Sequence, residues 1–260
     1  MAKQHFNDLT QVKLWKSDGS PLSFNIFVTT FLEFGANEAR RRYLQRLTRA
    51  NEKAQDGASD RNKELLDHCL PQGLSTLEHG ITLKGTGKFD LCVKDVSPLL
   101  NKELPCPDKP CFFNGVHIPL KDFRFHRFIG VSEFWYSVYN VFGLGGSYNA
   151  STLMAASSKY CSSDWKDIQD GHSKGQFPHV QDMSRLKSQC FKSGWLVNIL
   201  YEGFGFPRDS LPPPESRPDR QHDLPVYFES VNEINNFTVS WTLGAVLHQA
   251  AQQHVIFMDD

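Results

Sequence analysis

The sequence is short of the features that mark several large function classes. Nowhere does it approach about eighteen consecutive apolar residues, so no helix in it is expected to span a bilayer. Its charge has no dominant sign, with 28 Lys and Arg against 29 Asp and Glu for a net of −1. That balance excludes the basic footprint of a nonspecific nucleic-acid binder and argues against docking on acidic membranes. The opening stretch, MAKQHFNDLTQVKLW, has no apolar segment of the kind a secretory signal carries. There is no HExxH, no GxSxG elbow and no Cys/His cluster at zinc-finger spacing, and His248 and His254 have no carboxylate spaced to complete a metal site.

What is present fits a folded α/β chain. The 260 residues are 40% apolar and include 20 Phe, enough for one large domain or two small ones and incompatible with a wholly disordered chain. The six cysteines, Cys69, Cys92, Cys106, Cys111, Cys161 and Cys190, are even in number. Cys106 and Cys111 bracket a proline-rich turn that could bring two sulfurs together, but six cysteines allow about fifteen pairings and buried free thiols remain an alternative. Two sequons, Asn149-Ala-Ser151 and Asn236-Phe-Thr238, join the even cysteines in pointing to an oxidising, lumenal compartment.

Along the chain, Phe24 to Leu32 reads as a buried strand. Asn37 can cap a helix through about Leu47 whose Arg40, Arg41, Arg42 and Arg46 are expected on a solvated face. Residues 50–65 are polar and predict a loop or a frayed helix end, and short strands are expected at Ile81–Leu83 and Phe89–Cys92. From Ser132 the period becomes helical: Phe134, Val138, Val141 and Phe142 form one stripe, Glu133, Tyr136 and Asn140 the other side, and Gly143 ends the run. A further helix is expected from Asp182 or Ser184 through Tyr201 to Gly203, with Arg185 and Gln189 projecting from one face. Leu211 to Arg220 is too rich in proline for regular structure, and Ser240 to Gln249 resumes a short helical pattern.

Two glycine-rich stretches imitate phosphate loops. KGTGKFD (Lys84 to Asp90) lacks the spacer and the Ser/Thr of a P-loop and reads as a turn between strands; GLGGS (Gly143 to Ser147) reads as a helix terminus. No complete catalytic constellation is visible. Tyr136, Arg185 and Trp241 are of interest only as aromatic and cationic groups able to grip a planar or anionic ligand, with core packing or a surface role as the plainer alternative.

Several phrases taken in order resemble the C-terminal half of the nucleoside phosphatases, the apyrases and nucleoside triphosphate diphosphohydrolases. They are VTTFLEFGANEARRRYLQRL (Val28 to Leu47), DHCLPQG (Asp67 to Gly73), GTGKFDLC (Gly85 to Cys92), CPDKPCFFNGVHIP (Cys106 to Pro119), GVSEFWYSVYNVFGLGG (Gly130 to Gly146), RLKSQCFKSGWLVNILYEGFGFP (Arg185 to Pro207) and WTLGAVL (Trp241 to Leu247). FGANEAR and RLKSQCFKS are nearest in flavour to the Golgi and lysosomal branch that prefers uridine diphosphate. The resemblance implies a two-lobed, actin-like and hexokinase-like (ribonuclease H-like) fold, of which this chain would be the C-terminal lobe, a mixed sheet flanked by helices. It implies the pairings Cys69–Cys92, Cys106–Cys111 and Cys161–Cys190. The implied boundaries are an N-terminal remnant over 1–23, the lobe over 24–250 with a proline-rich loop at 210–222, and a tail over 251–260.

The resemblance also implies a chemistry: hydrolysis of a terminal phosphoryl group with calcium or magnesium, a glutamate activating water and glycine-rich loops cradling phosphates. None of the family's DxGSS, ATAGxR, catalytic EG or DxGG segments occurs here. No catalytic residue is therefore expected in this chain, which by itself should be inactive. Three features carry over: Trp241 beside the hydrated metal and phosphates, Tyr136 stacking on the nucleobase, and Arg185 in the base pocket. Gln189 stands where some relatives have a second tyrosine and Ala36 where they have another arginine, which favours a smaller, hydrogen-bonded base such as uracil. The expected parent is a membrane-anchored nucleoside di/triphosphate hydrolase of the Golgi or lysosomal lumen, favouring UDP- or GDP-like substrates and completed by an N-terminal lobe, with no nucleic-acid partner. The alternatives are a noncatalytic nucleotide-binding or interaction module and an unstable partial chain.

Overall fold

The computed structural model describes residues 9–16, 18–54, 64–118, 127–208 and 227–253. The proline-rich stretch Leu211 to Arg220, most of the tail and the first residues of the expected remnant lie outside them. The chain is α/β. β1 (Leu9–Trp15) and β2 (Pro21–Phe27) form an antiparallel hairpin, closed by a turn in which the Asp18 carboxylate accepts from the Ser20 amide at 2.9 Å. The expected buried strand at Phe24 to Leu32 is thus shorter, earlier and outward-facing: β2 ends at Phe27, and Phe24 is 46% exposed. An apolar run reports strand propensity but not what covers the strand.

α1 (Ala36–Ala54) continues well past Leu47, into the stretch that reads as loop. β3 (Leu65–Asp67), β4 (Ser75–Glu78) and β5 (Ile81–Gly85) form a three-stranded sheet in the order β3-β5-β4, with β3 parallel and β4 antiparallel to β5. α2 (Phe89–Val96) replaces the strand expected at Phe89–Cys92. Four residues are too few to show the period; Phe89, Cys92 and Val96 are the buried ones, and their spacing is helical. KGTGKFD therefore links a strand to a helix. Its glycines answer to backbone, since a Cβ on Gly85 would lie 2.0 Å from the Pro71 carbonyl oxygen and one on Gly87 2.4 Å from that of Cys161.

β6 (Arg127–Gly130) leads into α3 (Glu133–Phe142), which ends on left-handed Gly143 as its sequence predicts. β7 (Gly146–Ser147) precedes α4 (Ala150–Ser162) and α5 (Trp165–Ser173), neither of which the sequence reading anticipates. A signal for α4 is present: Leu153, Ser157, Tyr160 and Cys161 fall on one buried helical face, and Asn149 caps the helix by accepting from the Thr152 amide at 2.8 Å. α6 (Met183–Val197) is capped by Asp182 and continues as a π-helical turn over Asn198–Gly203. β8 (Tyr227–Ser230) joins β6 and β7 in a second sheet, order β6-β8-β7, parallel to β6 and antiparallel to β7. β9 (Glu233–Ile234) and β10 (Phe237–Thr238) make a tight hairpin, and α7 (Trp241–Gln253) packs along β1.

Three disulfides form, Cys69–Cys92, Cys106–Cys111 and Cys161–Cys190; the first pins the end of β3 to α2 and the last pins α4 to α6. The α1 arginines are not a solvated row. Arg40 is only 9% exposed and pairs with Asp67 at 2.7 Å and Glu78 at 2.9 Å, while Arg42 donates to the Leu99 carbonyl at 2.9 Å. Asp67 is fully buried and also accepts from the Tyr43 hydroxyl at 3.0 Å and the Cys69 amide at 2.7 Å. Burial opposes the Arg40 charge, yet Asp67 and Glu78 more than offset it and raise its affinity for the proton. Burial, then Asp67, also pushes the Tyr43 phenol up, so it remains a donor. No described helix is long and apolar enough to cross a membrane.

Removing one member of a buried ion cluster strands the others. Asp67→Ala is expected to lower stability by about 3–5 kcal/mol, whereas Glu38→Ala, which breaks a surface pair with Arg41, should leave stability nearly unchanged. Equilibrium urea unfolding without reductant checks both.

Candidate functional site

α3 supplies the aromatic side of the site. Trp135 and Tyr139, one turn apart, stack at 4.2 Å between centroids, and His179, from the segment before α6, lies against Tyr139 at 4.9 Å. Gly145 makes room for this wall, since a Cβ there would stand 2.7 Å from the Trp135 ring. The wall and Tyr136 border a cavity of about 760 Å³, whose polar lining includes Asn140, Gln181 and Asn232. Tyr136 is also the point of contact with α6: the Arg185 guanidinium sits over its ring, 5.2 Å from the centroid. Arg185 opens on the other side into a recess of about 460 Å³ shared with Arg40, Lys187, Lys192, Glu78 and Asp182. One of its terminal nitrogens, Nη1, is buried without a hydrogen-bond partner among the described residues. Such a nitrogen is costly when buried and gains from any acceptor that reaches it.

The positions singled out in the sequence separate into a pair and two outliers. Tyr136 and Arg185 come together. Gln189, expected to face a base, is instead 0% exposed: its amide nitrogen donates to the Ser137 carbonyl at 2.7 Å and to the Ser193 hydroxyl at 2.9 Å. It does share a helix face with Arg185, but it lies one turn further along, where that face is already covered by α3. Trp241 is 83% exposed at the start of α7 and does not border the cavity. Trp135, Tyr139 and His179 stand out by nothing local in the sequence. The first two stand in the quoted SEFWYSVYN phrase at helical spacing, but nothing in the sequence brings His179 to them.

These positions lie within a longer match. The sequence pattern of the GDA1/CD39 (nucleoside phosphatase) family covers residues 2–256. The chain belongs to this family. The Golgi apyrase of Saccharomyces cerevisiae is 38% identical over 266 residues, taking in 99% of this chain and 41% of that protein. The Golgi apyrase of Schizosaccharomyces pombe is 36% identical over 257 residues, 98% of this chain and 44% of that protein. The nucleoside-diphosphatase mig-23 of Caenorhabditis briggsae is 36% identical over 246 residues, 90% of this chain and 40% of that protein. The chain thus spans about two fifths of the length of these relatives.

For the divalent cation that the family implies, the donors do not converge. Among the described residues no three His, Cys, Asp or Glu side chains gather to hold an ion, and the two acids of the smaller recess are committed, Glu78 to Arg40 and Asp182 to the Ser184 amide. The described residues therefore do not form a cation site.

The aromatic wall depends on Gly145. Gly145→Ala is expected to push Trp135 off Tyr139, changing the near-ultraviolet circular dichroism and costing about 1–3 kcal/mol of stability. An unchanged spectrum would show that the wall is not held this way.

Proposed function

We propose that the chain carries the base-recognition side of a nucleoside di/triphosphate hydrolase that releases terminal phosphate. The observation that carries this reading is the Tyr136–Arg185 pair at the edge of the 760 Å³ cavity, on the two positions that the family resemblance assigns to the nucleobase. With Arg185 over one face of the Tyr136 ring, the other face is left for a planar base, and Asn140, Gln181 and Asn232 offer amides to its edge. A pyrimidine needs the shorter stack, and the name of the nematode relative, a nucleoside-diphosphatase, supports diphosphate substrates; UDP is the favoured probe, with GDP next. Trp241 is assigned to the phosphate and cation side, calcium or magnesium, in the whole protein, where an N-terminal lobe supplies the base glutamate and phosphate loops. The chain by itself binds and does not hydrolyse.

The lumen of the Golgi, or a related endomembrane compartment, is the proposed location, with the parent anchored in the membrane. The three disulfides call for an oxidising environment, and two of the relatives are Golgi apyrases by name. Asn236 is exposed in the turn between β9 and β10 and is the better placed glycan acceptor; Asn149 is partly buried, with its side-chain oxygen capping α4.

Calorimetric titration of the purified chain with UDP should show saturable binding that Tyr136→Ala and Arg185→Ala each weaken about tenfold, the scale of one lost base–aromatic stack. Phosphate release from UDP, GDP and ATP with either cation should stay at background. Robust turnover abolished by Trp241→Ala would overturn the assignment of the chemistry to the rest of the protein, and absence of UDP binding would overturn the base site. Expressed through a eukaryotic secretory pathway, the chain should lose an N-glycosidase-sensitive mass shift on Asn236→Gln; an unchanged shift would move the glycan elsewhere.

A further inference from the structure

Phe134, Val138 and Phe142 of α3 share an apolar cluster with Leu196 and Val197 of α6, and beside that cluster the two helices also meet through a row of polar side chains. On α3, Glu133, Tyr136, Ser137 and Asn140 share one face; on α6, Arg185, Gln189, Lys192 and Ser193 do the same. Lys192 pairs with Glu133 at 3.0 Å, and the Ser137 hydroxyl donates to the same carboxylate at 2.7 Å. The Gln189 amide reaches across to the Ser137 carbonyl at 2.7 Å, and Ser137, Gln189 and Ser193 are at most 1% exposed. The Gln189 side-chain oxygen has no hydrogen-bond partner among the described residues, which lowers what the seam contributes to stability. A well-packed apolar seam of the same volume would hold the helices at least as firmly. What the polar seam adds is register: one directed bond fixes both the distance and the rotation of the two backbones.

That bond lies directly under the candidate base site. Ser137 follows Tyr136 in α3, and Gln189 follows Arg185 by one turn in α6. We infer that Gln189 is a positioning residue: its bond to the Ser137 carbonyl holds the Tyr136 ring at its 5.2 Å distance from Arg185, so base affinity depends on a side chain that never touches the base. The inference rests on the base-site reading above and gives Gln189 a different role from contact with uracil.

The test is a double-mutant cycle on the 260-residue chain, titrated with UDP by calorimetry. Gln189→Met keeps the length of the side chain and removes its donor. It should bind UDP about tenfold more weakly, the order of one buried hydrogen bond, while unfolding cooperatively. Placed on Tyr136→Ala, the same substitution should cost nothing further, because its effect passes through the ring. The ultraviolet hypochromism of stacked uracil, read at saturating UDP, should also fall in Gln189→Met, which mere loss of stability would not produce. If Gln189→Met does not fold, Gln189→Asn, whose amide is one methylene too short, carries the same expectations. Wild-type affinity in both variants, or an undiminished loss on the Tyr136→Ala background, overturns the positioning role alone. A wild-type chain that binds no UDP, or binds it regardless of Tyr136→Ala, overturns the base site and this inference with it.

Discussion

The buried carboxylate of Asp67 is the constraint from which the geometry of the site follows. A fully buried charge is tolerable only with several partners, and Asp67 draws them from two places: Arg40 and Tyr43 on α1, and the Cys69 amide just past β3. Those bonds set Cys69, whose disulfide sets Cys92 on α2. α2 in turn lies against α6 closely enough that a Cβ on Gly194 would meet the Cys92 sulfur at 3.0 Å, and Asn198 donates to the Val93 carbonyl at 2.9 Å. From the other side, Cys161–Cys190 ties α6 to α4. α6 therefore arrives at α3 with little freedom left, and it carries Arg185.

The interior separates cohesion from direction. Three apolar clusters supply the bulk of the cohesion, and they do so without directional preference. Direction comes from buried polar groups, chief among them Asp67 with Arg40 at one end and Gln189 with Ser137 at the other. Both sets cost free energy to bury, and both sit where an element must be placed in one register and no other. The disulfides act between them as fixed links, two of the three ending on α2 or α6.

How much of this is legible in the sequence depends on the length over which a pattern is visible. α3 and α6 can be read because their periodicity runs for ten residues or more and an end of each carries a recognisable signal, Gly143 after the first and Asp182 before the second. α2 reads wrongly as a strand because four residues cannot distinguish the periods, and α4 escapes notice because its alanines and serines dilute the apolar face. Spacing alone cannot choose among the cysteine pairings; only the family resemblance does, and the structure has the same three. Arg40 and Gln189 depart from expectation for one reason. Burial of a polar side chain is decided by what packs on it, the acids of β3 and β4 for the first and α3 for the second, and those neighbours are 27 or more residues distant in the chain. Tyr136 and Arg185 stand out because they belong to family phrases, not because any local pattern joins two helices.

The base pocket proposed above raises a question of energetics that bears on why the seam should be rigid. Contacts with a nucleobase are remote from the phosphoanhydride that breaks, and they are the same before and during the reaction. Such binding lowers KM but does not by itself raise kcat. It contributes to the rate only when the bound base fixes where the phosphates lie, so that the scissile bond meets the attacking water in line. A loose stack would bind and not align. On the proposed reading, a stack whose ring is set by Arg185 on one side and by a directed bond to the next residue's carbonyl behind it would transmit position as well as affinity. The near-neutral charge of the chain, −1 overall, agrees with that proposal, because a surface that orients a base needs rings, amides and one arginine, and little cationic excess.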